Sequence, residues 1–299
     1  MEDAWHACQN ADAILSSFTA DTYASAIGEK LGLPVISVPL QPPVLSTRNG
    51  RALLNAPLPR QVSLINYILG KAFIEPAPWQ IYGKLTNRFR QEVLGLRPLT
   101  ATQFTAVRRQ MPVLLAYSQH VVPKPADWPP HYYPTGYFFL NEGHNWQPPE
   151  SLLDFLAAGP KPVAVGFGSM IGKNPERITR LLIDAVVKSG QRAVLLSGWA
   201  GLGNGELPPS IYKIASVPHD WLFPRMAAVV HHGGAGTTAA GLRAGVPAVI
   251  VPHMADQFFW AKRLHDLGVA VRPLPRHKLT SSRLARAVQT AVSSTEMQT

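Results

Sequence analysis

The sequence predicts an α/β protein with two Rossmann-like domains, the N-terminal one incomplete or reduced. From residue 151 onward, short apolar runs alternate with helical patterns, which is typical of a doubly wound parallel sheet. Only three such apolar runs occur before residue 141. The stretch 141–150 is polar and contains paired prolines, as linkers do. We therefore expect domains over residues 1–140 and 151–299, joined by that linker.

The C-terminal region is predicted to hold a complete sheet. Strands are expected over residues 162–168, 193–197, 211–216, 227–231, 248–251 and 269–272. Helices are expected over residues 175–188, 237–244, 256–267 and 281–292. The first of these helices begins at a proline, which suits the first helical position because its missing N–H has no partner there.

The N-terminal region is less regular. A helix is expected over residues 4–11, and strands are expected over residues 13–16, 35–38 and 113–117. The stretch 64–94 has helical spacing and five aromatic residues. Two interpretations of its aromatic residues stay open: a wall for an apolar ligand, or an ordinary helical core stripe.

Composition bounds the class of protein. The chain has 299 residues, 46% of them hydrophobic, enough for one large core or two modest ones. Cys8 is its only cysteine, which excludes an internal disulfide and a cysteine-ligated zinc cluster. The longest apolar runs are too short to span a bilayer. Two acidic residues follow Met1, so we expect no signal peptide and a cytoplasmic location.

The charge is unevenly distributed. The net charge is +10, and the residues after 150 contain 16 lysines and arginines against 8 acidic residues. A basic C-terminal half suits a phosphate-bearing ligand or an anionic membrane surface. Nucleic acid is not an expected partner, because the basic residues are scattered singly and no nucleic-acid-binding signature accompanies them.

The most informative stretch is residues 230–245, V-H-H-G-G-A-G-T-T-A-A-G-L-R-A-G. An apolar strand enters a glycine-rich turn and then a helix, which directs backbone N–H groups and the positive end of a helix dipole at one point. His232 adds a donor at the carboxyl end of the strand, where open parallel sheets bind ligands. The remaining candidates for phosphate contact are Gly233, Gly234, Gly236, Thr237 and Thr238. The alternative is a merely tight strand–helix turn; dinucleotide and P-loop motifs are absent.

Asp256 and Gln257 stand at the start of a predicted helix. A carboxylate and a carboxamide can each bind two sugar hydroxyls. The alternative for Asp256 is a helix N-cap. His231 is expected to turn into the fold, and Trp221 is expected to serve packing.

These segments together resemble the UDP-glycosyltransferase superfamily, which has the two-domain GT-B fold. The resemblance is strongest to bacterial sterol glucosyltransferases and to enzymes that glycosylate antibiotic aglycones. The matching motifs are G-F-G-S-M (166–170), L-S-G-W-A-G-L (196–202), S-V-P-H-D-W-L-F-P (216–224), H-H-G-G-A-G-T-T (231–238), A-G-V-P (244–247) and P-H-M-A-D-Q-F-F-W-A (252–261).

The resemblance implies an acceptor-side domain over residues 1–140 and a nucleotide-sugar donor domain over residues 151–299. It assigns the diphosphate to Ser169, His232, Gly234, Gly236 and Thr237. Val217 would offer backbone groups to the base, with Trp199 and His219 beside the nucleoside. Asp256 and Gln257 would bind the sugar. Plant members stack a tryptophan on the uracil where this chain has Ser216, so UDP and dTDP both stay open.

The implied activity is inverting, metal-independent transfer of a hexose from a UDP- or dTDP-sugar to a hydroxyl of an apolar acceptor, such as a sterol or macrolide. The donor is a co-substrate, and no cofactor is expected. The family's general base is a His or Asp in the first loops of the N-terminal domain, and this chain is expected to begin after it. No other residue stands out as the base. Alternatives are a catalytically impaired nucleotide-sugar-binding protein, one part of a split enzyme, or a GT-B epimerase or hydrolase.

Three N-terminal strands would leave an apolar sheet edge beside residues 13–16 or 35–38. We expect this edge to be covered in a two-fold homodimer. The alternative is that the segment 64–94 folds back over it. Peripheral contact with a membrane is a further expectation.

Overall fold

A computed structural model of the chain describes residues 1–48, 64–168, 175–198 and 207–298. The chain divides into two compact units, Met1–Phe138 and Phe139–Thr299. Each unit contains a parallel sheet with helices, which confirms the predicted fold class. Two predicted donor-site residues, Ser169 and Trp199, lie outside the described residues.

The first unit contains a four-stranded parallel sheet with the order β1-β2-β3-β4. Its strands are β1 (Ile14–Ser16), β2 (Val35–Ser37), β3 (Val113–Leu115) and β4 (Tyr132–Pro134). The expectation of three strands was therefore wrong. Strand β4 was missed because it is short, ends in proline and has no apolar run to signal it. Strand β2 lies inside the sheet. Of the two strands expected at an edge, only β1 is therefore an edge strand.

Five α-helices belong to the described part of this unit: α1 (Glu2–Ala7), α2 (Asp21–Leu31), α3 (Leu64–Leu69), α4 (Ala77–Glu92) and α5 (Ala101–Gln110). The expected helix over 4–11 ends earlier, at Ala7. The stretch 64–94 is two helices joined by a π-helical turn, Gly70–Ile74. Its aromatic residues share no single environment, because Phe89 is 5% exposed and Phe73 is 69% exposed.

The second unit contains a five-stranded parallel sheet with the order β7-β6-β5-β8-β9. Its strands are β5 (Val163–Val165), β6 (Ala193–Leu196), β7 (Ile211–Ile214), β8 (Ala228–His231) and β9 (Ala248–Ile250). The expected strand over 269–272 was wrong, since this segment forms only a single bridge from Ala270 to Ala248. Pro273 and Pro275 follow closely and have no N–H to extend the pairing.

Helices cover both faces of this second sheet. They are α6 (Glu150–Ala157), α7 (Pro175–Ser189), α8 (His219–Leu222), α9 (Ala235–Ala244), α10 (Asp256–Asp266) and α11 (Ser281–Ser293). Val163 and Val165 pack into the core beneath α7 and α11, whereas Ala164 packs into a second core on the opposite face. Both faces of β5 are therefore buried, as expected of a doubly wound sheet.

Candidate donor-binding site

A cavity of about 180 Å³ lies at the carboxyl ends of the strands of the second sheet. Strand β5 pairs with β6 on one side and with β8 on the other, so the strand order reverses there. Such a reversal is where open α/β sheets bind ligands. The lining includes four predicted donor-site residues: Val217, His219, His232 and Thr237. The lining does not include Gly234, Gly236, Asp256 or Gln257.

Glycines make room for the imidazole of His232. A Cβ on Gly234 would lie 2.4 Å from Nε2 of His232, and a Cβ on Gly168 would lie 3.7 Å from Cε1. The first of these contacts is impossible without displacing the ring. Gly233 has φ of +90°, a conformation that side chains disfavour. The glycine-rich turn therefore fixes where His232 lies, and it does more than connect a strand to a helix.

The first turn of α9 faces this region without a side-chain cap. Gly234 is the N-cap, and the first intrahelical bond runs from the Thr238 N–H to the Gly234 carbonyl at 2.9 Å. Threonines cap both α5 and α11 through their hydroxyls, at Thr100 and Thr280. A Cβ on Gly236 would meet nothing within 4 Å. The position of a Gly236 side chain is therefore open, and the first N–H groups of α9 have no intrahelical acceptor, as in anion sites at helix starts.

His232 lacks a partner for one ring nitrogen. Its Nδ1 is buried and makes no hydrogen bond with the described residues. Burial lowers the pKa of His232, and His253 and His219 lower it further by charge repulsion. The ring is therefore neutral near neutral pH. A phosphate oxygen would offer an acceptor for a ring N–H and would favour the protonated ring.

His231 is buried, as expected, but it also contributes to the lining of the cavity. It is 1% exposed, and its Nδ1 accepts the N–H of Gly233 at 3.1 Å. Burial lowers the pKa of His231 to about 3. Because Nδ1 accepts this hydrogen bond, the neutral ring carries its proton on Nε2. His231 holds the glycine-rich turn in place.

A second wall of the cavity combines Val217 with His219. The ring of His219 stacks on Phe223, with ring centres 4.5 Å apart and an interplanar angle of 15°. Burial lowers the pKa of His219. Trp221 packs edge-on against Trp146 at 4.9 Å, which agrees with its expected packing role. This wall offers stacked rings beside a buried aliphatic side chain.

Asp256 opens helix α10 but does not cap it. Ala255 is the N-cap, with φ of +48°, and no side chain caps the helix, so the interpretation of Asp256 as a cap was wrong. Asp256 is half-buried, and burial raises the pKa of its carboxyl group. The side-chain oxygen of Gln257 accepts the N–H groups of His253 at 2.8 Å and Met254 at 3.1 Å. Only its amide NH2 is left for a sugar hydroxyl, a restriction that the sequence did not reveal.

Three contributors to the site received no role from the sequence. Gly168 and Gly198 line the cavity, both with φ of +56°. His253 lowers the pKa of His232. All three belong to the motifs quoted above. The sequence does not show which glycine or histidine of a motif faces the cavity, because that depends on how separate loops come together. The two glycines belong to loops that follow β5 and β6, so only the topology brings them together.

Within the described residues, no group of three or more His, Cys, Asp or Glu could hold a metal ion. No helix there is long and apolar enough to cross a membrane.

Comparison with known proteins bears directly on this site. Residues 180–298 match the family described as erythromycin biosynthesis protein CIII-like, C-terminal domain. The chain is 40% identical to a sterol 3-beta-glucosyltransferase of Arabidopsis thaliana over 234 residues. It is 37% identical to a sterol 3-beta-glucosyltransferase of Aspergillus oryzae over 309 aligned positions. The C-terminal region of the chain therefore matches a domain of the UDP-glycosyltransferase superfamily.

The alignments cover 78% and 99% of this chain but only 37% and 22% of the two relatives. Solved structures share the fold of this chain. The glycosyltransferase of kitacinnamycin matches with a TM-score of 0.69 at 20% identity, over 99% of this chain and 72% of that one. The calicheamicin glycosyltransferase matches with a TM-score of 0.65 at 17% identity, over 99% and 69%. These likenesses confirm the GT-B-like fold.

Proposed function

We propose that this chain transfers a hexose from a UDP- or dTDP-sugar to a hydroxyl of an apolar acceptor, with inversion and without a bound metal. One observation best supports this function. His232 and the start of α9, which no side chain caps, lie together beside the cavity where the strand order reverses. Backbone N–H groups, a helix dipole and the imidazole of His232 together suit a diphosphate. The relatives are named for sterols, so a sterol or a similar alcohol is the favoured acceptor.

The same groups can assist departure of the diphosphate. Charge grows on the leaving oxygen as the bond to the sugar breaks, and donors already aimed there stabilise it without reorganisation. The N–H groups of the first turn of α9, a ring N–H of His232 and the Thr237 hydroxyl are the donors we assign. A bound diphosphate would favour the protonated form of His232, because an adjacent anion raises a histidine pKa, and the ring would take that proton from solvent when the donor binds. These positive groups take the place of a metal ion in the proposed mechanism.

The remaining donor contacts are assigned to the second wall of the cavity and to the start of α10. We propose that the base lies against Val217 and the stacked pair His219–Phe223, with Gly168 and Gly198 leaving it room. Asp256 accepts hydrogen bonds from the sugar hydroxyls, and the Gln257 amide NH2 donates to one. An acceptor hydroxyl must also lose a proton, and we assign no base for that step among the described residues.

Among the described residues, only residues of the second unit line the donor cavity, and none is assigned as a base for the acceptor, which favours a second candidate function. In this second function, the chain binds nucleotide sugars but does not complete sugar transfer. It would then be a catalytically impaired binding protein or one part of a split glycosyltransferase. The deciding experiment supplies UDP-glucose or dTDP-glucose with and without cholesterol. Glycoside formation supports the transferase, and donor binding without turnover supports the second function. Release of UDP or dTDP without acceptor contradicts both and favours a hydrolase.

We also propose that this chain is cytoplasmic and touches a membrane through exposed apolar side chains of α3, α4 and the turn between them. Six large apolar side chains between residues 64 and 85 are more than half exposed: Leu64, Ile65, Ile68, Phe73, Ile81 and Leu85. Lys71 and Lys84 are exposed among them. Apolar side chains with lysines suit an anionic bilayer surface. Sedimentation with phosphatidylserine vesicles should retain the chain, and the double variant Phe73→Ser with Ile81→Ser should remain in the supernatant.

A further inference from the structure

The first unit contains a cavity of about 290 Å³ that is separate from the donor site. It lies between the starts of α2 and α4, the chain after β2, and helix α5. Its volume is near the lower end for small-molecule sites, so it suits a short apolar chain or one end of a larger molecule. The apolar part of its lining consists of Val44, Ile74, Ala77, Pro78, Ile81 and Tyr82.

Among the described residues, Arg108 is the only charged side chain that lines this cavity. Its guanidinium lies 5.8 Å from the centre of the Phe104 ring. It makes one long hydrogen bond, 3.4 Å from Nη1 to the carbonyl oxygen of Val44. A guanidinium has five N–H donors. Within the described residues, most of the hydrogen-bonding capacity of Arg108 is therefore unused at the wall of an apolar cavity.

The nearby carboxylates are engaged elsewhere. Asp21 accepts the hydroxyls of Ser16 at 2.5 Å and Ser37 at 2.7 Å. Glu75 accepts from the Arg109 guanidinium at 2.5 Å and also from Ser46. Neither carboxylate forms an ion pair with Arg108 within the described residues. They act on Arg108 only through space.

Burial works against the charge of Arg108. Desolvation lowers the pKa of Arg108, and the negative charges of Asp21 and Glu75 oppose that shift. A half-buried cation gains most from an anion that hydrogen-bonds to it directly. A carboxylate matches a guanidinium geometrically, because two oxygens can accept two parallel N–H bonds.

We infer that this cavity binds an apolar small molecule that ends in a carboxylate, with the carboxylate on Arg108 and the hydrocarbon part against the apolar walls. The inference goes beyond the donor site and requires no glycosyl transfer. A neutral alcohol of equal length would fill the same walls but would not satisfy the guanidinium.

Calorimetric titration with decanoate and with decanol, without nucleotide sugar, tests the inference. Decanoate should bind at least about tenfold more tightly than decanol, the advantage expected of a charge-assisted hydrogen bond. Arg108→Gln should reduce decanoate binding to the level of decanol and leave decanol binding unchanged. Arg108→Lys should keep part of the preference, because the positive charge is retained.

The control is Arg88→Gln, which removes an exposed arginine of α4 paired with Glu92, and it should bind both probes like the wild type. Each variant is first shown to melt cooperatively and to bind UDP with unchanged affinity, which separates this inference from the proposed donor site. Equal binding of acid and alcohol, binding of neither, or an unaltered preference in Arg108→Gln would each overturn the inference.

Discussion

The buried His231 predicts a specific loss of stability in acid. Its pKa is lowered from an ordinary value of 6.5 to about 3 in the folded chain. The unfolded chain therefore binds more protons below about pH 6.5, and the free energy of unfolding falls as the pH falls through that range. At about pH 5 the contribution of this one group is roughly 2 kcal/mol, taking about 1.4 kcal/mol for each pH unit below 6.5.

The informative variant is His231→Asn. The asparagine oxygen can take the place of Nδ1 and accept the Gly233 N–H, but asparagine does not titrate. Urea unfolding at about pH 7.5 and about pH 5 should show the wild type losing roughly 2 kcal/mol more than the variant. His6→Asn, at an exposed position, is the matched control and should follow the wild type. Parallel losses in His231→Asn and the wild type would refute the reasoning.

Three further predictions concern other parts of the molecule. Ala255→Gly should raise the free energy of unfolding by about 1 kcal/mol in urea titration, because Ala255 has φ of +48°; a lowered value would show that the conformation is not strained. Asp256→Asn should leave UDP affinity nearly unchanged but shrink the calorimetric advantage of UDP-glucose over UDP, whereas equal losses would assign Asp256 to the fold. Strand β1 lies at the edge of the first sheet, and its Leu15 is 69% exposed. We expect β1 to pair with a second copy of the chain, so light scattering should show a dimer. The variant Leu15→Lys should dissociate that dimer. A wild-type monomer at micromolar concentration would contradict that pairing.

The sequence predicted the second sheet better than the first for a physical reason. Strand β8 is a fully buried apolar run that stops at a glycine-rich turn, so its period and its end are both visible. Strand β4 has a single buried residue, Tyr132, and takes its place from its partner β3. Helix α5 did offer a local signal, since Thr100 and Gln103 form a capping box that the prediction overlooked.

The candidate site divides in the same way. The position of His232 beside the cavity could be predicted because strand, turn and helix are consecutive in the chain. The hydrogen bonds of the Gln257 oxygen could not, because they depend on how the loop before α10 curls back. The unused N–H donors of Arg108 could not be predicted either. They depend on the hydrogen bonds that the buried carboxylates of Asp21 and Glu75 form with other residues.

Titration of UDP into the wild type and His232→Ala tests the central claim most directly. If His232 and the first turn of α9 hold the diphosphate, the variant should bind UDP more weakly by roughly 1.5–3 kcal/mol, as expected for a hydrogen bond to a charged group. His6→Ala, at an exposed position, should bind like the wild type. Equal UDP affinity in His232→Ala and the wild type would contradict the assignment of the donor site.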